Sequence, residues 1–527
     1  MQNKRLFFFA AIFGLAFLAG SGYAQLWREF AHPDNPHLDP ALTNPDVFIN
    51  VPQLFESDNA VVQLPMLVIL LEFDDLAALP AHTPAYFVDM MFGVNRANGR
   101  PSVAETYRES SNGRLLLVPA TAGDNHGAKD GIVGWVTAQS QPGGSFDYYN
   151  THLEKKRAEG VIRADPFFDF SLYDRNQDGV ITSDELAIIV VNANPAFGAN
   201  TRKTDPGKVP VENGAYLVYQ AMTGVTEAVH VGAVAHELGH QVFGLGDLYE
   251  PSGSTRVADG YIHNNEWYPP DPARYSLMGG NNPASFLSHL DPWAKIHLGF
   301  VKPLVITHDG RYTLFNIETD RSFAVQTSQP EAVIIYDPLR SEPYKEYFIL
   351  ENRNREIKNP NSNQMIMDRG LTVWLTDENA PNWPYGLNLR KTVRLIRRAG
   401  PWAGETESLW DGSESSYYDI THKSTPRNTN WTDGARSYIE ITDVSAAGPA
   451  ISFNITMPPI FVAQAAAGFL ELGTQENPFK TIQAAVEAVP EPPRTIRIAG
   501  GNYPEKLFIT TPVTLKAWGS EHVFIGQ

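Results

Sequence analysis

Cysteine is absent from the whole 527-residue chain, which excludes disulfides and any cysteine-based switch. A bound cation, calcium above all, is then the more available staple. Basic charge is also short: Lys+Arg 41 against Asp+Glu 59 leaves a formal net charge of -18. With no basic run and no aromatic-basic interleaving, that balance argues against a nucleic-acid partner and favours cation binding. Long apolar runs are missing except for LFFFAAIFGLAFLAG, which follows Lys4 and Arg5. It falls short of the ~20 residues that a membrane span requires, and the small residues of SGYAQ after it mark a cleavage point following Ala24. Residues 1–24 therefore read as a secretory signal peptide, so the mature chain is expected to be secreted, or associated with the cell surface, with no stable membrane anchor. The remainder, 43% hydrophobic and 19% charged, is enough for two or three domains with ample cores.

Most of the chemistry that is present lies in HELGHQVFGLGDLYE, His236 to Glu250. On a helix, His236 and His240 stand at i and i+4, so both imidazoles leave one face and can reach one zinc ion. Glu237 is placed as general base, taking the proton of a water that the metal has made acidic. The preceding TEAVHVGAVA is small and apolar, as a buried helix needs, and Gly244 and Gly246 supply the break that turns the chain back. His230 and His263 read as satisfied histidines rather than ligands.

The third ligand has two readings. The segment resembles the metzincin pattern His-Glu-x-x-His-x-x-Gly-x-x-His/Asp with one extra residue at Val242-Phe243, which makes Asp247 the ligand. The alternative, similar to thermolysin-like enzymes, takes a glutamate from a later helix and points to Glu266. Met278, in the run SLMGG, has the composition and position of the Met-containing turn beneath a metzincin metal.

GLGDLYE, YSLMGG and DPWAKIHLGF together resemble the immune inhibitor A family of secreted bacterial metallopeptidases. PMLVILLEFDD, SVAETYRESSNGRLLLVPA, GIVGWV, YFILENRN and GLTVWLTDEN also read like its landmarks, over roughly residues 60 to 457. The resemblance implies a zinc-dependent endopeptidase acting on extracellular proteins and peptides, with His236, His240 and Asp247 as zinc ligands, Glu237 as catalytic base and a metzincin-like α+β catalytic domain. The competing reading is a surface-adhesion or glycan-binding protein built on a degenerate peptidase scaffold, against which the intact Glu237 speaks.

DRNQDGVITSDE is a second candidate metal segment. Asp174, Asn176 and Asp178 occupy positions 1, 3 and 5 of an EF-hand-type loop, Gly179 makes the sharp turn, Val180 offers its carbonyl and Glu185 closes the loop. Hard oxygens at this spacing suit calcium, in a structural role. The alternative is an ion-free turn rich in Asp and Asn.

Composition and periodicity place a short pro-segment or N-terminal arm at 25–60, the catalytic domain at 61–300 and an all-β sandwich at 301–457, where short alternating runs lie between Gly, Pro and Asn turns. Trp402, Trp410, Tyr417, Tyr418 and Trp431 read as sandwich core rather than a binding surface. A linker is expected at 458–467. From 468 to 527 the chain resembles the opening of a right-handed parallel β-helix, a capping helix followed by too few coils to stand alone. A glycan or cell-surface contact is the partner such a module suggests.

Overall fold

The computed structural model describes residues 61–526 apart from internal stretches, the longest of them 318–328, 355–368, 381–391, 398–408 and 411–429. The expected signal peptide and pro-segment, residues 1–60, lie outside the described residues, as do Trp402, Tyr417 and Tyr418. The architecture is mixed, with several sheets and few helices, compatible with a multidomain α+β protein.

The first sheet is built around β1 (Val62–Phe73), whose sequence VQLPMLVILLEF is apolar on both faces. Successive side chains alternate sides: Leu64, Met66, Val68 and Leu70 enter one core, and Leu67, Ile69, Leu71 and Phe73 enter another. A strand buried on both sides suits the middle of a parallel sheet. Parallel to β1 run β2 (Leu115–Pro119) and β3 (Ile132–Ala138) along successive halves of one edge, and β5 (Ala187–Asn192) along the other. Beyond β5 comes β9 (Met222–Thr226), also parallel, and then β6 (Asn200–Arg202), which is antiparallel to it. A small separate sheet joins β4 (Val180–Ile181), β7 (Val209–Val211) and β8 (Tyr216–Val218).

Helices cover both faces. α3 (Phe146–Ala164) buries Ala158, Val161 and Ala164 against one. α1 (Pro84–Phe92), α2 (Val103–Ser110) and α4 (Val231–Phe243) pack on the other. α2 begins at a reciprocal cap in which Ser102 and Glu105 each bond the other's backbone N–H, which satisfies two donors that would otherwise have no helical partner. An antiparallel sheet of β10 (Thr255–Val257), β11 (Gly260–His263) and β12 (Glu266–Tyr268) follows α4.

α5 (Pro292–His297) leads into a sheet ordered β13 (Leu304–Ile306), β15 (Ala332–Ile335), β16 (Glu346–Arg353), β17 (Gly370–Asp377) and β18 (Val393–Ile396). Every residue of β16 and β17 is buried. Ile349 and Trp374 join the core beneath α4, while Phe348, Leu350, Val373 and Leu375 face a second sheet of β14 (Gly310–Phe315), β19 (Glu440–Thr442) and β20 (Ala450–Thr456). Trp410 and Trp431 are buried in that second core. One apolar core thus runs across the 300/301 position, and a charged node crosses with it: Lys295 on α5 meets Glu351 at 2.7 Å, Arg353 meets Glu351 at 3.0 Å, and Asn112 donates to Glu331 at 2.8 Å.

The terminal unit has its own core, formed by α6 (Ile482–Glu487) over the parallel strands β21 (Ile460–Val462), β22 (Arg494–Tyr503) and β23 (Val513–Ile525). β21 lies inside the stretch expected to be a linker. Its residues Ile460, Phe461 and Val462 are all buried, which is why they pair as a strand instead of spanning solvent. Arg494 donates to the Pro458 carbonyl at 2.6 Å and stands 3.7 Å from Asp337, fastening this unit to the preceding sheets.

Candidate metal centre

α4 forms because its face is apolar and both ends are closed. His230 stands at the N-cap, where its Nδ1 accepts the Ala233 N–H at 3.2 Å. Burial holds this imidazole below its usual range, keeping the ring neutral and able to accept. At the other end Gly244 adopts φ 62°, the left-handed conformation that glycine reaches without penalty. That turn reverses the chain, so the Leu245 carbonyl comes back to His240 Nδ1 at 2.5 Å.

Three ligand atoms converge. Asp247 Oδ1 lies 3.0 Å from His236 Nε2 and 3.1 Å from His240 Nε2, and the two Nε2 atoms are 3.1 Å apart. Among the described residues this is the one group of three His, Asp or Glu ligand atoms lying within 4.8 Å of one another. Tetrahedral zinc with bonds of 2.0–2.1 Å separates its ligands by roughly 3.3 Å, so the triangle is slightly tighter than a filled site and needs little movement to become one. Both Nδ1 atoms are spoken for, His240 by Leu245 and His236 by the Leu277 carbonyl at 2.9 Å. A carbonyl accepts only from an N–H, so each Nδ1 carries a proton, and each Nε2 offers a metal its lone pair once the proton it gives to Asp247 is displaced. The residues therefore fit zinc in type, tautomer and spacing.

The electrostatics point the same way. Burial disfavours charge on His240, yet its hydrogen bond to Asp247 and the charges of Asp247 and Glu237 push it up to about 9. Burial likewise opposes ionisation of Asp247, but hydrogen bonds and charge from both histidines hold it well below the usual carboxylate range. The cluster calls for positive charge, which a cation supplies in place of a proton.

A second layer holds these ligands. Met278 is buried under α4 at Gly239, and its turn is tied down on every side. Leu248 donates to the Met278 carbonyl at 2.8 Å, Leu277 to the His289 carbonyl at 2.9 Å and Ser276 Oγ to Asp291 Oδ2 at 2.9 Å. His289 Nε2 lies 2.8 Å from Glu109 of α2, and Asp291 caps α5. Tyr107, also on α2, donates to the Ala235 carbonyl inside α4 at 2.6 Å. These contacts give physical roles to the segments SVAETYRESS, YSLMGG and DPWAK: together they fix where His236 points.

Glu237 leaves α4 toward β6, where Thr201 Oγ1 donates to its Oε2 at 2.9 Å. Glu266 sits on β12, a strand, whereas the thermolysin-like alternative draws its third ligand from a helix. His263 Nδ1 is 3.3 Å from Ser254 Oγ, away from the triangle. In the 174–185 loop Gly179 has φ 78°. Asp174 accepts the N–H groups of Asp178 and Gly179, Asp178 that of Val180, and Glu185 those of Arg175, Asn176 and Thr182. Its carboxylates answer the loop's own donors and do not converge as the atoms of His236, His240 and Asp247 do.

Sequence reasoning passed over three residues of the centre. Gly239 carried a signal, since a glycine inside a helix costs about 1 kcal/mol relative to alanine and so implies a close neighbour. Tyr249, hydrogen-bonded to Asp247 and pushed upward by burial and by that charge, lay in view within DLYE. Thr201 carried none, because a lone threonine on a distant strand has no pattern. A scan against protein-family models and a search of curated proteins find no match to this chain.

Proposed function

We propose that the protein is a zinc-dependent endopeptidase of the immune inhibitor A type, secreted and acting on extracellular proteins or peptides. The observation that carries this reading is the convergence of His236, His240 and Asp247 within 3.1 Å, with Glu237 on the same helix. Zinc held there would acidify water and polarise a peptide carbonyl. His236, His240 and Asp247 would hold it. Glu237 accepts the proton of the attacking water and returns it to the leaving amine. Among the described residues β6 pairs with β9 alone, so its outer edge can take an extended peptide by strand addition.

The same reading gives a metzincin-like catalytic unit, a β-sandwich behind it and a terminal unit similar to the first coils of a parallel β-helix. Calcium in the 174–185 loop is proposed on ligand type and spacing alone. Among the described residues no helix is long and apolar enough to cross a membrane; export is proposed from the N-terminal sequence. Casein zymography of the purified protein with and without a chelator tests the function: clearing that chelation abolishes and zinc restores is the expected result, and clearing indifferent to chelator would overturn it.

A further inference from the structure

Thr201 and Glu237 are 36 residues apart in sequence, yet one hydroxyl joins them. β6 pairs with β9 in a register that sets Thr201 opposite Thr223, and their Oγ1 atoms are 3.0 Å apart. α4 lies across this pair. One turn along it from Glu237, Gln241 accepts the Thr223 N–H at 3.2 Å and donates to the Ile188 carbonyl at 2.9 Å and to Gln220 Oε1 at 2.8 Å. Thr223 and Gln241 are wholly buried, so the helix face is locked to the sheet beside the metal centre. From that locked position Thr201 Oγ1 lies 2.9 Å from Glu237 Oε2 and 2.9 Å from the Glu237 main-chain carbonyl. Thr223 can donate to Thr201, which leaves the single Thr201 proton to the two Glu237 oxygens, and the charged carboxylate is the stronger acceptor of the pair. Among the described residues Glu237 Oε1 makes no hydrogen bond, and it is not a buried unsatisfied atom, so it remains open to water.

We propose that Thr201, backed by Thr223, is the positioning residue of the catalytic base. It pins Oε2 so that Oε1 meets the water to be deprotonated, a proposal that rests on the peptidase reading above. A free glutamate samples several rotamers, and a charge-assisted bond to one oxygen selects one of them. The cost of losing it should therefore fall on the chemical step and leave substrate binding alone.

The test compares Thr201→Val, which keeps the shape and removes the hydroxyl, with Thr201→Ser, which keeps the hydroxyl, on zinc-loaded enzyme with a fluorogenic peptide. Loss of one hydrogen bond to a charged group should lower kcat about tenfold or more, with KM and zinc content unchanged; Tm should fall modestly, because the buried Thr223 hydroxyl loses its partner, and Ser should restore most of both. In a Glu237→Ala background Thr201→Val should cost nothing further. A Thr201→Val enzyme as fast as wild type, or one whose lost rate is matched by lost zinc or by an unfolded fraction at the assay temperature, overturns the proposal. If Glu237→Ala itself is as active as wild type, or the wild type shows no zinc-dependent hydrolysis, the peptidase reading fails first and the proposal falls with it.

Discussion

Met278 packs against Gly239 so closely that its Sδ lies 2.6 Å from where a side-chain carbon on that glycine would be. The glycine lies between His236 and His240, next to the latter, and the residue before Met278 supplies the carbonyl that orients His236. Gly239→Ala should therefore act against its own helix propensity. Alanine favours the helix by about 1 kcal/mol, but the buried sulfur has to move, and overpacking of this kind costs roughly 1–3 kcal/mol. The expected outcome is a lower Tm together with zinc affinity reduced about 10- to 100-fold, the usual effect of disturbing an outer-shell partner. Met278→Ala in the same chain should recover part of the affinity. Calorimetry and zinc titration check both.

The third ligand separates two geometries. Asp247→Ala should lose most bound zinc on dialysis, whereas Glu266→Ala should keep it. Metal analysis decides, and loss that follows Glu266 would make the Asp247 triangle a mere hydrogen-bonded cluster.

Much of this was legible in the sequence, for reasons that differ by residue. His236, Glu237 and His240 are fixed by helical spacing alone, and the double-faced apolar run of β1 announces a central strand. Asp247 was readable only by allowing an insertion, which the left-handed Gly244 absorbs by swinging Leu245 back to His240. What stayed hidden depends on long-range packing. Nothing local says that β16 and β17 are shared between two cores, or that Lys295 and Glu351 meet across the position where composition suggests a boundary. Ile460–Val462 looked like linker because a strand of three residues is too short to display a period.

A pH dependence follows from Glu378. Burial pushes this carboxyl up to about 7, against hydrogen bonds from Tyr347 at 2.5 Å and from Trp293. Between its ordinary 4.5 and about 7 the folded protein binds more protons than the unfolded chain, so stability is fullest below that window and falls as pH rises through it. The loss at pH 8 should be on the order of 3 kcal/mol. Glu378→Gln, whose amide oxygen can still accept from Tyr347, should remove the slope and raise Tm at pH 8 while changing little near pH 4.5. A variant whose Tm tracks wild type at both ends would refute this.

Removing calcium, or Asp178→Ala, should lower Tm and leave zinc bound. A ligand specific to the folded state stabilises it by about 2.7 kcal/mol at 100 times its Kd, so millimolar calcium should shift the melting curve visibly. No shift would make the 174–185 loop an ion-free Asx-rich turn.

The central claim is that Glu237 does the proton chemistry while the two histidines and Asp247 hold the metal. The most direct measurement is the rate of peptide hydrolysis by Glu237→Ala at full zinc occupancy, with zinc content determined on the same sample. The account predicts one zinc per chain, an unchanged Tm and kcat lowered on the order of 10²-fold or more. A fully loaded variant that cleaves at the wild-type rate would contradict it.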